Sequence, residues 1–206
     1  MLRRALLLSM LFAGIALIVW AGWQNLRTRN SAMQAQQEQR VDLIPDNSSA
    51  SASDAYTGQS PLRGKQAPAF SLLDLNGKDV SLSDFKGHPL VVNFWGTYCA
   101  PCKIEMPWLQ EFSKKYAADG LQVVGIAYDS EVGRDTIAHD AQQLGVTYPI
   151  LLSTPKAEKD YLSGTEALPM SFYIDRTGKV IEITEGLGSK DQLESVVKET
   201  IAAGGR

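Results

Sequence analysis

The chain has 206 residues, of which 44% are hydrophobic and 21% are charged, and its formal net charge is −3. This length predicts one folded domain with accessory segments, and the slight acidic excess argues against a nucleic-acid-binding surface. Two cysteines and two histidines are too few for a disulfide scaffold or a closed zinc site. We therefore expect no metal cofactor, and we expect His88 and His139 in surface or loop positions.

The amino-terminal segment is typical of a membrane anchor. Residues 5–23 contain no charged side chain, and as a helix rising about 1.5 Å per residue they would span about 28 Å, close to the ~30 Å hydrocarbon layer. A cleaved signal peptide is the alternative, although its apolar region is usually only about 7 to 15 residues long. Arginines lie on both sides of the segment, so its charges do not determine its orientation.

Residues 24–60 predict a flexible polar linker. They are rich in Gln, Ser, Ala, Asn and Asp, and their short apolar patch is too small to offset the entropy of ordering the whole segment. A flexible chain of this length has a root-mean-square reach of about 35 Å. We accordingly divide the chain into an anchor over residues 1–23, this linker, and a folded domain over residues 61–206.

Strand and helix signals alternate in the first half of the folded domain. Residues 70–74 and 78–82 flank Asn76-Gly77, the strongest short hairpin signal. Residues 90–95 and 122–128 are apolar runs of strand length, typical of strands buried on both faces. Apolar residues between these runs recur at helical spacing, which predicts a right-handed βαβ unit.

The second half of the domain predicts two helices, a short strand and a hairpin. The helix over residues 134–144 precedes a strand over residues 150–152, and hairpin strands follow at 170–175 and 179–184. A closing helix begins at Ser189, which forms a capping box with Gln192. The predicted fold class is α/β, with a mixed central sheet covered by helices.

The chemistry is concentrated in the sequence Trp-Gly-Thr-Tyr-Cys-Ala-Pro-Cys over residues 95–102. Cys99 and Cys102 open the predicted helix, where the positive end of the helix dipole stabilises a thiolate. Cys99 is the outer sulfur and is expected to attack, while Cys102 lies further into the helix as the resolving thiol. Pro101 is tolerated at a helix start. These parts suit thiol–disulfide exchange through a mixed disulfide.

Three features resemble those of a known family: this motif, the Leu168-Pro169 pair before a predicted strand, and the amino-terminal anchor. On these features, residues 66 to about 203 resemble the TlpA/ResA-type membrane-tethered thioredoxin-like proteins. The resemblance implies a thioredoxin-like fold with an amino-terminal β-hairpin and an insertion from residue 129 to about 164. It also implies that Pro169 is a cis-proline packed against the cysteines, and that the backbone of Leu168 faces the substrate strand. We further expect Trp95 and Tyr98 to contact substrate.

The position of the carboxyl side chain near the cysteines distinguishes this chain from ordinary thioredoxins. The thioredoxins that it resembles carry a buried Asp six residues before the first cysteine, where this chain has Asn93, which cannot titrate. Glu105 matches the glutamate of the tethered family, and we expect it to exchange a proton with Cys102, partial burial raising its pKa. A solvated carboxylate on the helix face is the alternative. Lys103 either favours the Cys99 thiolate or is solvated.

The resemblance implies an extracytoplasmic thiol:disulfide oxidoreductase, held in the inner membrane by a single span and facing the periplasm. An integral membrane thiol carrier would supply electrons for reducing exported proteins, such as apocytochrome c or copper-site cysteines. No cofactor is expected beyond the redox-active disulfide between Cys99 and Cys102. The cytochrome c maturation branch often has an acidic residue after the cis-proline, where this chain has Met170.

Electron flow is expected to run from the protein to its substrate. The Ala-Pro dipeptide between the cysteines lacks the histidine of strongly oxidising sites. We therefore expect a potential nearer the ~−270 mV of thioredoxin than the ~−120 mV of DsbA.

Two other functions, a peroxidase and a Cu(I) chaperone, would use similar residues. A peroxiredoxin-like peroxidase shares the Ala-Pro-Ala-Phe-Ser opening of residues 67–71 but needs a lone peroxidatic cysteine, whereas here Trp95 precedes a pair. A Cu(I) chaperone would use both thiols as soft ligands, with Met106 within reach, although a methionine on an apolar helix face is more typical of a core. Covalent haem is excluded, because Lys103 stands where that motif requires histidine.

Overall fold

A five-stranded mixed sheet organises the residues that the computed structural model describes, 60–165 and 167–204. The predicted anchor and all but the last residue of the predicted linker lie outside this described part. Within it, no helix is both long enough and apolar enough to cross a bilayer.

The strands follow the predicted pattern closely. A separate antiparallel pair is formed by β1 (Ser71–Leu73) and β2 (Asp79–Ser81). The main sheet contains β3 (Leu90–Trp95), β4 (Gln122–Ala127), β5 (Ile150–Leu152), β6 (Met170–Ile174) and β7 (Val180–Glu185). Its order is β5-β4-β3-β6-β7, in which β3, β4 and β5 are parallel while β6 pairs antiparallel with both β3 and β7. The mixed α/β sheet predicted from the sequence is therefore confirmed.

Four α-helices flank the sheet in the described part of the chain. They are α1 (Ala100–Lys115), α2 (Arg134–Gln143), α3 (Pro155–Leu162) and α4 (Lys190–Ala202). The predicted capping box at the start of α4 is present, since Ser189 and Gln192 bond to each other's backbone N–H groups.

Helix α3 was not predicted, although its local signal is in the sequence. The hydroxyl of Thr154 accepts a hydrogen bond from the backbone N–H of Ala157 at 3.3 Å, and Pro155 occupies the first turn. Both features are typical of a helix start. Tyr161 of this helix is fully buried, and its hydroxyl donates to the carbonyl of Pro68 at 2.7 Å. The helix therefore covers the sheet close to the amino-terminal hairpin.

Strand β3 lies at the centre of the core, and its side chains alternate between the two faces of the sheet. Val91 and Trp95 pack in a cluster with residues of α1, α2 and α4. Leu90, Val92 and Phe94 pack on the other face with residues of α3, β6 and β7. Asn93 shares the first face with Val91 and Trp95, because successive side chains of a strand point to opposite sides. A polar side chain is thus placed beneath α1.

The strand register brings the two predicted active-site segments together. In the antiparallel pairing of β3 with β6, Phe94 lies opposite Met170 and Asn93 lies opposite Ser171. Pro169, which precedes β6, is therefore placed beside the end of β3, where the chain enters the cysteine loop. The sheet thus aligns the Pro169 segment with the start of α1.

Candidate active site

The two cysteines occupy the amino terminus of α1. Cys99 is the N-cap residue, and it forms a disulfide with Cys102 in the first turn. The backbone N–H of Cys102 donates to the Sγ atom of Cys99 at 3.2 Å. Cys99 is 6% exposed and Cys102 is fully buried, as expected for an outer and an inner sulfur. The helix end and this N–H group are placed to stabilise a thiolate on Cys99 once the disulfide is reduced.

Lys103 does not direct its charge at the sulfurs. Its Nζ atom donates to Oδ2 of Asp140 at 2.8 Å, which joins α1 to α2. Neither sequence-based alternative for Lys103 included this partner, because Asp140 lies 37 positions further along the chain. The ion pair compensates the positive charge of Lys103, so the helix end and backbone are the main thiolate-stabilising groups seen here.

Asp129 holds the loop that precedes the cysteines, and sequence reasoning missed this residue. It follows β4, is almost fully buried, and its Oδ2 atom accepts from the backbone N–H of Thr97 at 2.9 Å and from the Thr97 hydroxyl. Parallel neighbouring strands end at the same edge of a sheet, so the residue after β4 lies beside the loop after β3. That topological rule is the signal from which Asp129 could have been found.

Trp95 and Tyr98, both predicted to contact substrate, lie in opposite environments. Tyr98 is 65% exposed and stands next to Cys99 on the surface. Trp95 has no exposed surface and packs in the core. Its Nε1 atom lies close to Gly125, where a Cβ atom would come within 3.2 Å of it. The structure therefore corrects the prediction for Trp95: it supports the loop from below and does not form part of the surface.

The predicted cis-proline is confirmed. The Leu168-Pro169 peptide bond is cis, Pro169 is buried and Leu168 is half-buried. Leu168 packs against the core clusters on both faces of the sheet. The carbonyl of Pro169 accepts a hydrogen bond from the backbone N–H of Gly186 at 2.8 Å, which connects this segment to the end of β7.

Glu105 is buried in a closed polar triangle beneath the cysteines. It is only 1% exposed, so the alternative of a solvated carboxylate is wrong. Its Oε1 atom accepts from Nδ2 of Asn93 and from Oγ of Ser171, both at 3.0 Å. Asn93 Nδ2 also donates to the Ser171 hydroxyl at 2.9 Å. Sequence reasoning singled out Asn93 and Glu105 but missed Ser171, whose position becomes clear only from the β3–β6 register.

Tyr148 lies close enough to this triangle to respond to its charge. Burial raises the pKa of Tyr148 far above its ordinary range, and the charge of Glu105 adds to the increase. The phenol is therefore neutral throughout the range in which thiols and carboxyls titrate. Neither its hydroxyl nor Nε1 of Trp95 has a hydrogen-bond partner among the described residues.

The remaining candidate ligands lie on the surface or in the core. His88 and His139 are exposed, which confirms their predicted surface positions, and Met106 is fully buried in the core. Within residues 60–165 and 167–204, no three side chains of the His, Cys, Asp and Glu types are grouped as a metal site.

Comparisons with known proteins agree with this geometry. Residues 63–183 match the AhpC/TSA family. The chain is 39% identical over 137 residues to the thiol-disulfide oxidoreductase ResA of Bacillus thuringiensis subsp. konkukian, covering 66% of this chain and 77% of that one. It is 38% identical over 125 residues to the ResA protein of Bacillus subtilis, covering 60% and 67% respectively.

A solved structure is similar over the same part. The thiol:disulfide interchange protein of the thioredoxin family from Chlorobium tepidum TLS matches with a TM-score of 0.61 and 30% identity, covering 69% of this chain and 99% of that one. The chain therefore belongs to the AhpC/TSA family and has a thioredoxin-like fold. Within that family it is a thiol-disulfide oxidoreductase of the ResA type. The membrane anchor stays a prediction.

The unequal burial of the two sulfurs predicts unequal reactivity. In the reduced protein, iodoacetamide near neutral pH is expected to modify Cys99 at least about tenfold faster than Cys102, because the thiolate is the reactive form and Cys99 is the stabilised and less buried residue. Mass spectrometry of peptides after timed quenching measures both rates. Cys99→Ser and Cys102→Ser variants report each thiol alone, and two equally slow thiols would contradict the assignment.

Proposed function

We propose that the protein reduces disulfides in exported proteins through the dithiol form of Cys99 and Cys102. The observation that carries the proposal is the placement of this pair at the start of α1, with the outer sulfur beside exposed Tyr98 and the inner sulfur fully buried. The less buried sulfur, at the surface end of the helix, can meet a protein disulfide. A buried neighbour can complete the exchange without itself reacting with solutes.

The proposed direction of electron flow rests on the groups that surround Cys99. A disulfide becomes strongly oxidising when its reduced form is stabilised. Here Ala100 and Pro101 separate the cysteines, and the charge of Lys103 is paired with Asp140. The helix terminus and one backbone N–H then stabilise the Cys99 thiolate. This modest stabilisation favours a reductant.

The exchange proceeds in two balanced steps. The Cys99 thiolate attacks one sulfur of the substrate disulfide, forms a mixed disulfide and releases the first substrate thiolate, which takes a proton from solvent. Cys102 then loses its proton and attacks Cys99, which forms the Cys99–Cys102 disulfide and releases the second substrate thiolate. Two electrons pass to the substrate, and the protein dithiol becomes a disulfide.

Glu105 is proposed as the acceptor of the Cys102 proton in the second step. It lies one helical turn after Cys102, on the same side of α1. Both Cys102 and Glu105 are buried. Because bulk water has little access to the Cys102 thiol, a neighbouring protein group is the proposed acceptor of its proton. General base assistance of this kind typically contributes about 10²-fold or more to a rate.

The proposed cellular setting is the outer side of the inner membrane. Residues 5–23 would form the single-span anchor, with the catalytic domain in the periplasm, an integral membrane thiol carrier as electron donor, and exported cysteine proteins as substrates. The anchor pattern and the resemblance of the reactive motif support this setting. Apocytochrome c and copper-site proteins are candidate substrates. Met170, which follows the cis-proline, is buried in the core, so this chain presents no acidic side chain at that position.

The reduced protein is expected to reduce insulin and to equilibrate with glutathione nearer the ~−270 mV of thioredoxin than the ~−120 mV of DsbA. Precipitation of the insulin B chain and thiol quantification by mass measure the two properties, with Cys99→Ser as the inactive control. A potential near the oxidising end would reverse the direction of electron flow. Consumption of hydrogen peroxide in place of insulin would favour a peroxidase.

Replacing Glu105 by Gln is expected to slow resolution of the mixed disulfide by about 100-fold at neutral pH. Gln keeps an oxygen that can accept from Asn93 and Ser171, so the change removes proton transfer with little loss of contact. Acid quenching and mass spectrometry follow the mixed disulfide across pH. Glu111→Gln, an equivalent change at a carboxylate that pairs with Lys190 on the exposed side of α1, is the matched control. A pH profile equal to that of the unmodified protein would remove the role.

A Cys102→Ser variant is expected to retain its partners as mixed disulfides, because Cys99 can attack while resolution is blocked. Expressed in the full chain, it should capture exported cysteine proteins and a membrane thiol protein, identified by mass spectrometry after reduction. The Cys99→Ser, Cys102→Ser double variant should capture none of them. Exclusively cytoplasmic partners would contradict the proposed setting.

A further inference from the structure

Ser171 connects the cis-proline segment to the buried carboxyl under the cysteines. It lies in β6, two residues after Pro169, and it pairs directly with Asn93 of β3. Side chains that face each other across an antiparallel pair share one face of the sheet. On that face both residues are fully buried beneath α1, and both bond to Glu105.

The three side chains form a directional network. Asn93 Nδ2 donates to Ser171 Oγ at 2.9 Å and to Glu105 Oε1 at 3.0 Å, and the Ser171 hydroxyl donates a hydrogen bond to the same Oε1 atom at 3.0 Å. Because Asn93 occupies an acceptor site of the Ser171 oxygen, it helps to orient the Ser171 hydroxyl towards Glu105. One carboxyl oxygen therefore receives two hydrogen bonds from the sheet.

We propose that Ser171 is a positioning residue, which holds the carboxyl of Glu105 in the orientation that accepts the proton from Cys102. This inference rests on the proposed role of Glu105. The Ser171 hydroxyl and the Asn93 amide both donate to Oε1, so two strands of the sheet orient the carboxyl. The hydrogen bond from Ser171 thereby fixes the carboxyl one helical turn from Cys102.

Ser171 also favours the ionised form of Glu105, the form that accepts a proton. A hydrogen bond donated to a carboxylate stabilises its charged state, and hydrogen bonds to charged groups are among the stronger ones in proteins. Cys102 lies one turn earlier on the same helix, Asn93 does not titrate, and burial raises the pKa of Tyr148 far above the working range. We therefore expect the pH dependence of resolution to follow the Glu105–Cys102 pair.

The Ser171→Thr and Ser171→Val variants provide the sharpest test, because their side chains have nearly the same shape and differ in a hydroxyl. Relative to Ser171→Thr, Ser171→Val is expected to move the rising limb of the pH profile for mixed-disulfide resolution about one unit upward and to slow resolution about tenfold at pH 7. Ser171→Ala, which adds no volume, should behave like Ser171→Val. Thermal unfolding and insulin binding of each variant establish that the fold is intact.

Two controls separate a positioning role from a structural one. Thr184 pairs with Ser171 across β6 and β7, is equally buried, and its hydroxyl contacts Tyr173. Thr184→Val should therefore leave the pH profile unchanged, whatever its effect on unfolding. In a Glu105→Gln background, Ser171→Val should cause no further shift of the profile relative to Ser171→Thr.

The outcomes distinguish this proposal from the one on which it rests. Equal pH profiles for Ser171→Thr and Ser171→Val, beside an altered profile for Glu105→Gln, would overturn the positioning role of Ser171 alone. If Glu105→Gln also leaves the profile unchanged, the proton transfer to Glu105 fails and the positioning role fails with it. Disulfide exchange itself is tested independently by the insulin reaction.

Discussion

A buried carboxyl bonded across three elements is the constraint on which the active-site arrangement depends. Removing a carboxyl group from water is costly unless hydrogen bonds replace its hydration. Asn93 from β3 and Ser171 from β6 supply those bonds to Glu105 of α1. Any shift of the helix relative to the sheet would break them, so the network helps to set where the amino terminus of α1 lies.

The reactive surface is assembled on that base. Cys99 caps α1 at the edge of the sheet, Asp129 restrains the preceding loop through Thr97, and Pro169 lies at the end of the adjoining strand pair. Each contact comes from a different element, yet all converge where β3 and β4 end. Tyr98 alone of this loop is largely exposed, while the groups that restrain the loop are buried. The site thus places the outer sulfur beside an exposed side chain and on a well-held support, as proximity-based chemistry requires.

Distance along the chain separates the features that were anticipated from those that were not. The cysteine pair, the two hairpins and the α4 capping box each depend on signals within a few residues, and all were recognised. Trp95 and Glu105 were both assigned at least some exposure, and both are buried, because each faces a layer supplied by distant parts of the chain. Lys103 likewise pairs with Asp140 of α2, and no sequence signal near Lys103 indicates that partner.

By itself, the sequence determined the class of chemistry, the sheet-and-helix order and the helix start that carries the cysteines, because turn residues, capping pairs and hydrophobic periodicity act over short distances. Only the tertiary structure decided which residues surround the inner sulfur and its carboxyl. Ser171 is 66 positions from Glu105 and 78 from Asn93. No local pattern connects such positions. Strand register and the packing of α1 on the sheet bring them together, and these arise only when the whole core forms.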